Sequence, residues 1–409
     1  MSEGDAASRD AGSEMARPRR NAVAVFAARV VAALATTAVV AISAHRLDQT
    51  EFGLVVSTMA AGFLLNTLIT FGTDTLITRS IAAGDSDAGS VTRGALALQL
   101  GAASLATVAA AIAVLVGAPS VLLVEALSLL PLAIVTVASA VVRGVERMEH
   151  LLRASVTVAV VSLGLTIVGF MVWDEPLVPI AARAIAACGA AVVLGRVAQS
   201  YEAWHGAVRV ASLLRRAAPF AAMVVLAAIG TQAGLLIVEF LADEPTGGYG
   251  AAVRLFEAGR MVPASVIAAF FPAMVRGIHR RVEYRRSMLW LVGYSLATTI
   301  ALIALAGPID RWVFARQPDG PTLIRILALA LPVTVLRLVL SFEAIAEGRE
   351  RGVAVSAAVG CAMLITGGIA VAGRLGAAGV AWAQLAGVTA AVIVLAVDRR
   401  SGAASSAPA

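Results

Sequence analysis

The sequence predicts an all-α polytopic membrane protein of about twelve transmembrane helices. Three observations carry that prediction. Of 409 residues, 59% are hydrophobic and 14% charged, and the mean hydropathy is +0.88, outside the range of soluble domains. Uncharged runs at 154–173, 287–309, 352–373 and 375–397 each reach the roughly 20 residues a helix needs to cross a hydrocarbon core. The arginines gather in alternate connections, as the topology of a many-span protein requires.

Taken in order, residues 1–20 are polar and form a disordered cytoplasmic tail. The run Asn21–Ala44 follows Arg17, Arg19 and Arg20, is longer than a signal-peptide core and lacks a small-x-small cleavage site, so it is the first span. Further spans begin near residues 52, 93, 120, 151, 177, 217, 247, 287, 323, 352 and 376. Residues 21–200 form the N-terminal bundle, 201–216 a cytoplasmic linker, 217–398 the C-terminal bundle and 399–409 a second cytoplasmic tail.

With the N-terminus in the cytoplasm, the inward-facing segments collect 22 of the 32 arginines, while the outer connections keep Arg46, Arg311, Arg316 and Arg374. This positive-inside pattern places both termini in the cytoplasm and assigns the net charge of +6 to topology rather than to nucleic acid. Cys188 and Cys361 lie in apolar runs and read as packing residues, and the four histidines are scattered without metal-ligand spacing. No cofactor is expected.

The halves share landmarks. Phe52-Gly53 precedes Arg79 by the same interval as Tyr249-Gly250 precedes Arg276, and Gly144-Val-Glu-Arg147 matches Gly348-Arg-Glu-Arg351. Six spans per copy leave both copies in one orientation, related by an axis along the membrane normal.

Six arginines fall within spans: Arg29, Arg183, Arg254, Arg260, Arg325 and Arg337. In span eight, Arg254, Glu257 and Arg260 share about a third of the helix circumference and lie about 10 to 20 Å deep. Three charges at that depth cannot face lipid. One reading is internal ion pairing, Arg254 with Glu257 and Arg337 with Glu343 or Glu347; for Arg183 and Arg325, near outer ends, pairing or snorkelling suffices. The other is a cavity whose surplus arginines, Arg29, Arg254, Arg260 and Arg337, accept a phosphate-bearing substrate.

Tyr249-Gly-Ala-Ala-Val-Arg254 with a following mid-helix proline and Phe271-Pro272 resembles the second-half signature of oligosaccharide flippases of the polysaccharide biosynthesis family. Glu51-Phe52-Gly53 with Phe71-Gly72 and Arg79, and Leu375-Gly-Ala-Ala-Gly379-Val-Ala381, extend the resemblance over residues 20–398. It implies a MATE-like fold, two six-helix bundles around a central cavity, and alternating-access translocation of a polyprenyl-pyrophosphate-linked oligosaccharide across the plasma membrane for cell-surface polysaccharide synthesis. Membrane lipids surround such a protein, and a polysaccharide polymerase or glycosyltransferase is a candidate partner.

Carried over by resemblance, the cavity arginines are Arg29, Arg79 and Arg254; Glu257, Arg260 and Arg337 join them as substrate-binding candidates, with Asp74 and Glu257 as candidates for ion coupling. Lipid II flippases have two additional C-terminal helices without counterparts here, so that substrate is not implied. The alternative is a multidrug or organic-cation exporter of the same superfamily, with Asp74, Glu125, Glu239 and Glu257 as its acids. An enzyme is disfavoured, since the outer connections are short and no catalytic triad or phosphate-cradling glycine loop is recognisable.

Overall fold

Each connecting break in the sequence becomes a helix end, and no strand occurs among the described residues of the computed structural model. Those residues are 27–405 apart from 29, 146, 202–209, 243–245, 276–281, 318 and 348. The first helix, α1, covers Val30–Arg46. The N-terminal half continues with α2 (Gln49–Thr70), α3 (Thr73–Ala82), α4 (Ala88–Leu115), α5 (Val121–Gly144), α6 (Met148–Phe170) and α7 (Leu177–Gln199). The C-terminal half contains α8 (Val210–Leu241), α9 (Gly247–Val275), α10 (Val282–Val313), α11 (Gly320–Ala346) and α12 (Glu350–Ser405).

Among the described residues, nine stretches are long and apolar enough to cross a membrane. The last of them, Arg351–Arg400, has 50 residues and serves as two spans, because α12 bends at Gly376, where φ is 56° and ψ −149°. A side chain is excluded from that conformation, so the Leu375-Gly376 motif is a corner. With α1 and the charged α9, the twelve expected spans all have a counterpart.

The second span departs from expectation. It does not run unbroken to Arg79: Phe71 and Gly72 both adopt left-handed backbone, with φ of 48° and 65°, and divide it into α2 and α3. The Thr73 hydroxyl donates to the Thr70 carbonyl at 2.6 Å and accepts from Gln99 of α4 at 2.8 Å, so the break is hydrogen-bonded inside the protein. In α9, by contrast, the helix continues through Pro263 and Pro272 to Val275, and Arg276 lies outside the described residues.

Proline in α11 shows how such positions are satisfied. Pro332 has no N–H to give the carbonyl four residues back, and the hydroxyl of Thr299 on α10 donates to that carbonyl, of Ala328, at 3.0 Å. Of the expected linker at 201–216, residues 202–209 lie outside the described residues. Residues from Val210 are already helical, and Leu213 and Ala217 of α8 are buried in the N-terminal half's cluster with Leu76, Val141 and Leu194. The tail from 399 likewise continues as helix to Ser405.

Burial is asymmetric along the bundle. Near the starts of α2 and α9, one hydrophobic cluster joins both halves, uniting Val40, Phe52, Val56 and Phe170 with Val238, Tyr249, Phe256, Phe314 and Leu327. Toward the opposite end, burial separates into a cluster that is mainly N-terminal and two C-terminal ones, around Ile267 and Val335 and around Ala344 and Leu395. Among the described residues, one end is therefore closed by a cluster that both halves share, the sealed end, while at the other, the split end, the buried clusters of the halves are largely separate and α8 alone joins the N-terminal one.

The repeat landmarks meet at the seal. A Cβ on Gly247 would lie 2.5 Å from the Phe52 ring, and one on Gly250 would lie 2.7 Å from Val56. The aromatic-glycine pairs of the two halves thus pack on each other, and glycine is needed where their backbones approach. The Tyr249 hydroxyl, fully buried, donates to Gln384 at 2.7 Å and fixes α9 to the second limb of α12.

Candidate functional site

Below the seal, α1, α2, α9 and α11 enclose a cavity of about 490 Å³. Small residues of α1 (Ala32, Ala33, Thr36 and Thr37) form one wall, Phe63 projects from α2, and α9 and α11 supply the charge. The three-residue spacing of α9 puts Arg254, Glu257 and Arg260 on this wall, and Arg337 of α11 joins them. Gly259 allows the two charged helices to approach, since a Cβ there would lie 3.1 Å from Leu331.

The charges are not equivalent. Arg254 Nη1 donates to Glu257 Oε2 at 2.9 Å, and Gln232 Nε2 of α8 donates to the other oxygen, Glu257 Oε1, at 2.9 Å. Glu257 is thus held on both oxygens and neutralises Arg254. Arg260 and Arg337 have no ion pair among the described residues, and the buried Nε of Arg337 has no hydrogen-bond partner. The acids proposed for Arg337 are engaged elsewhere: Glu343 pairs with Arg399 at 3.2 Å and Glu347 with Arg349 at 2.7 Å.

Counting Arg254, Arg260 and Arg337 against Glu257, the cavity carries three positive charges and one negative, a net of +2. A single arginine at mid-membrane is disfavoured by roughly 2.5 to 3.5 kcal/mol on insertion scales. Two guanidinium groups without an ion pair among the described residues face one space, and each offers planar, fixed donors of the kind that suit anionic oxygen.

Other expected site residues lie elsewhere. Arg79 is exposed near the end of α3 and does not line the cavity. Its position before a helix end follows from the break at Gly72, which turns the last part of the span away as a separate helix. Asp74 is bound to Arg143 of α5 at 3.0 Å, joining two helices at the split end of the N-terminal half. Arg29 lies outside the described residues. Arg183 pairs with Glu125 at 2.7 Å, whereas Arg325 is exposed. Cys361 is buried, but Cys188 is exposed and is not a packing residue.

Sequence reasoning did not identify Gln232 or the α1 threonines as part of this site. A glutamine in an apolar run was a visible signal for the first; the threonines had none, since their hydroxyls can return to their own helix, as Thr36 does to Ala32 at 2.9 Å. Among the described residues, no group of His, Cys, Asp or Glu side chains is arranged to hold a metal.

Residues 19–279 match the family model described as "Polysaccharide biosynthesis protein". No curated protein sequence matches the chain. Among solved structures, the chain is similar to the eukaryotic MATE transporter AtDTX14, at 15% identity, with 94% of this chain and 95% of that one covered and a TM-score of 0.67. It is also similar to a multidrug resistance MATE family transporter of the MOP superfamily. The outward-facing conformation gives a TM-score of 0.69, 15% identity and coverage of 95% and 96%. The inward-facing one gives 0.68, 15%, 92% and 94%. At such identities the likeness establishes the fold.

Proposed function

From the premise that this chain belongs to the polysaccharide biosynthesis protein family and has the MATE transporter fold, we propose that it is a lipid-linked oligosaccharide flippase. Its substrate is a glycan joined through a diphosphate to a polyprenyl chain, carried by alternating access. The observation that carries this reading is the pair of unneutralised cations, Arg260 and Arg337, in a cavity otherwise walled by small and apolar side chains. A diphosphate supplies the missing negative charge, while the hydrocarbon tail remains in the bilayer.

Orientation follows from the arginines. The connections at the split end hold Arg143, Arg147, Arg153, Arg196, Arg349 and Arg351, so the positive-inside rule turns that end to the cytoplasm and the seal to the outer face of the plasma membrane. The conformation with a split cytoplasmic end is the one that admits substrate from the leaflet where it is made. Both termini are then cytoplasmic.

The test is flipping of a fluorescent polyprenyl-diphosphate oligosaccharide in proteoliposomes, comparing wild type with Arg260→Ala and Arg337→Ala at matched folded amounts. Flipping by wild type that collapses in both variants supports the reading. Absence of flipping by wild type, with uptake of an organic cation instead, replaces it by an exporter.

A further inference from the structure

A second cavity, about 290 Å³, lies within the N-terminal half between α1, α5, α6 and α7. It shares Ala32 and Thr36 with the central cavity, so α1 is the wall between the two. Hydroxyls line it along its length. Ser128 and Ser139 of α5 are eleven residues apart, about 16 Å along the helix, and Ser155 and Ser162 stand on α6. At the sealed end the lining includes Arg183 of α7; toward the split end it reaches Leu151 and Leu194.

Arg183 Nη2 donates to Glu125 Oε1 at 2.7 Å. Glu125 is 3% exposed, and its second oxygen, Oε2, is buried without a hydrogen-bond partner. Gly62 of α2 makes the room: any side chain there would occupy the space of the glutamate. The carboxylate is half satisfied, and a bare oxygen in low dielectric is costly to keep charged. Binding a proton removes that buried charge.

We propose that Glu125, which stands behind the cavity's lining residue Arg183, is a proton-binding site served from the split end through that cavity, and that its protonation frees Arg183. A proton from water in the cavity bonds to a carboxylate oxygen of Glu125, and the Arg183 hydrogen bond to the formerly charged oxygen weakens. The pair passes from neutral to a net charge of +1, carried by a guanidinium that faces the cavity behind α1. This deepens the transport reading by naming its coupling ion; it rests on that reading for its consequence and is independent of it for its test.

Arg183 is the charged group in contact with Glu125. Cys188, exposed, follows Arg183 on α7 by about 8 Å, and the charged groups on the helices packed against α5 lie farther along their axes. Arg143 with its partner Asp74 of α3 is eighteen residues away, about 27 Å. Arg79 follows Asp74 on α3, and Glu149, His150 and Arg153 open α6 just past the same end of α5. On α4, Thr107 donates to the Ala126 carbonyl at 3.1 Å and so marks the level of Glu125, leaving Arg93 about 21 Å away. Glu51 precedes Gly62 on α2 by about 16 Å, and Arg196 follows Arg183 on α7 by about 20 Å.

The test uses the full-length protein in lipid nanodiscs and follows the carboxylic-acid C=O stretch by infrared difference spectroscopy as pH is stepped. Wild type is expected to show a titrating acid band that Glu125→Gln abolishes. Arg183→Lys, which keeps the charge but loses the guanidinium, is expected to displace the midpoint by about one pH unit or more. A wild type without the band would make the pair a permanent structural bridge, and a band that survives in Glu125→Gln would assign the proton elsewhere; either overturns the proposal. If Glu125→Gln fails to fold, the lysine variant decides, and an unmoved midpoint overturns it. Substrate flipping plays no part in the readout, so failure here and failure of the flippase reading remain distinguishable.

Discussion

Removing Arg260 isolates the charge on which the flippase reading depends. Arg254 and Glu257 cancel at 2.9 Å, so the net +2 of the cavity resides in Arg260 and Arg337. A diphosphate diester brings about two negative charges, and its hydrogen bonds from guanidinium are charge-assisted. One such bond is worth about 1.5 to 3 kcal/mol, so Arg260→Ala should weaken binding about 10- to 150-fold. The double variant Arg254→Met/Glu257→Gln removes two charges of opposite sign and leaves +2, so its affinity should fall far less. Glu257→Gln alone raises the cavity to +3 and should bind at least as tightly as wild type. The assay is equilibrium binding of a short-chain polyprenyl-diphosphate sugar, a diester, to detergent-purified protein, with folding checked by size-exclusion chromatography. Unchanged affinity in folded Arg260→Ala would refute the argument. So would a double variant that loses as much as Arg260→Ala, because net charge would then not govern binding.

Two further outcomes follow from the backbone. Gly250→Leu should press on Val56, 2.7 Å from the position of its Cβ, and loosen the seal. In a background without Cys188 and Cys361, a cysteine replacing Phe63 should then react faster with a membrane-impermeant thiol reagent added from the sealed side; an unaltered rate would show that α2 and α9 do not form the barrier. Gly376→Ala should cost about 1 to 3 kcal/mol, because the backbone there is open essentially to glycine alone. A lowered midpoint of thermal unfolding by tryptophan fluorescence, with Gly373→Ala as the unstrained control, checks it, and equal midpoints would refute it.

The departures from sequence expectation arise in the folded chain. Phe71-Gly72 looked like the end of a motif, yet it breaks a helix, because two consecutive left-handed residues depend on what Gln99 and Thr73 can bond around them. Arg79 shared its spacing with Arg276 but stands exposed once α3 has turned away. Arg337 had two acids within reach in sequence, and both are claimed by other arginines. For the break and for Glu343 the partner, Gln99 or Arg399, comes from a helix distant in the chain, whereas Glu347 is claimed by nearby Arg349.

Membrane insertion, the count of spans and their order were determined by the sequence itself. These depend on local quantities: twenty apolar residues cross a bilayer wherever they occur, and backbone bonds close within each helix. The three-residue interval of Arg254, Glu257 and Arg260 likewise put one stripe of charge on one face of α9. Which of those charges remains unbalanced was decided only by tertiary structure. Neutralisation acts over a few ångströms between side chains, so it took the placement of Gln232, Glu343, Glu347 and Arg337 in space to separate the cancelled charge of Arg254 from that of Arg260, which has no ion pair among the described residues.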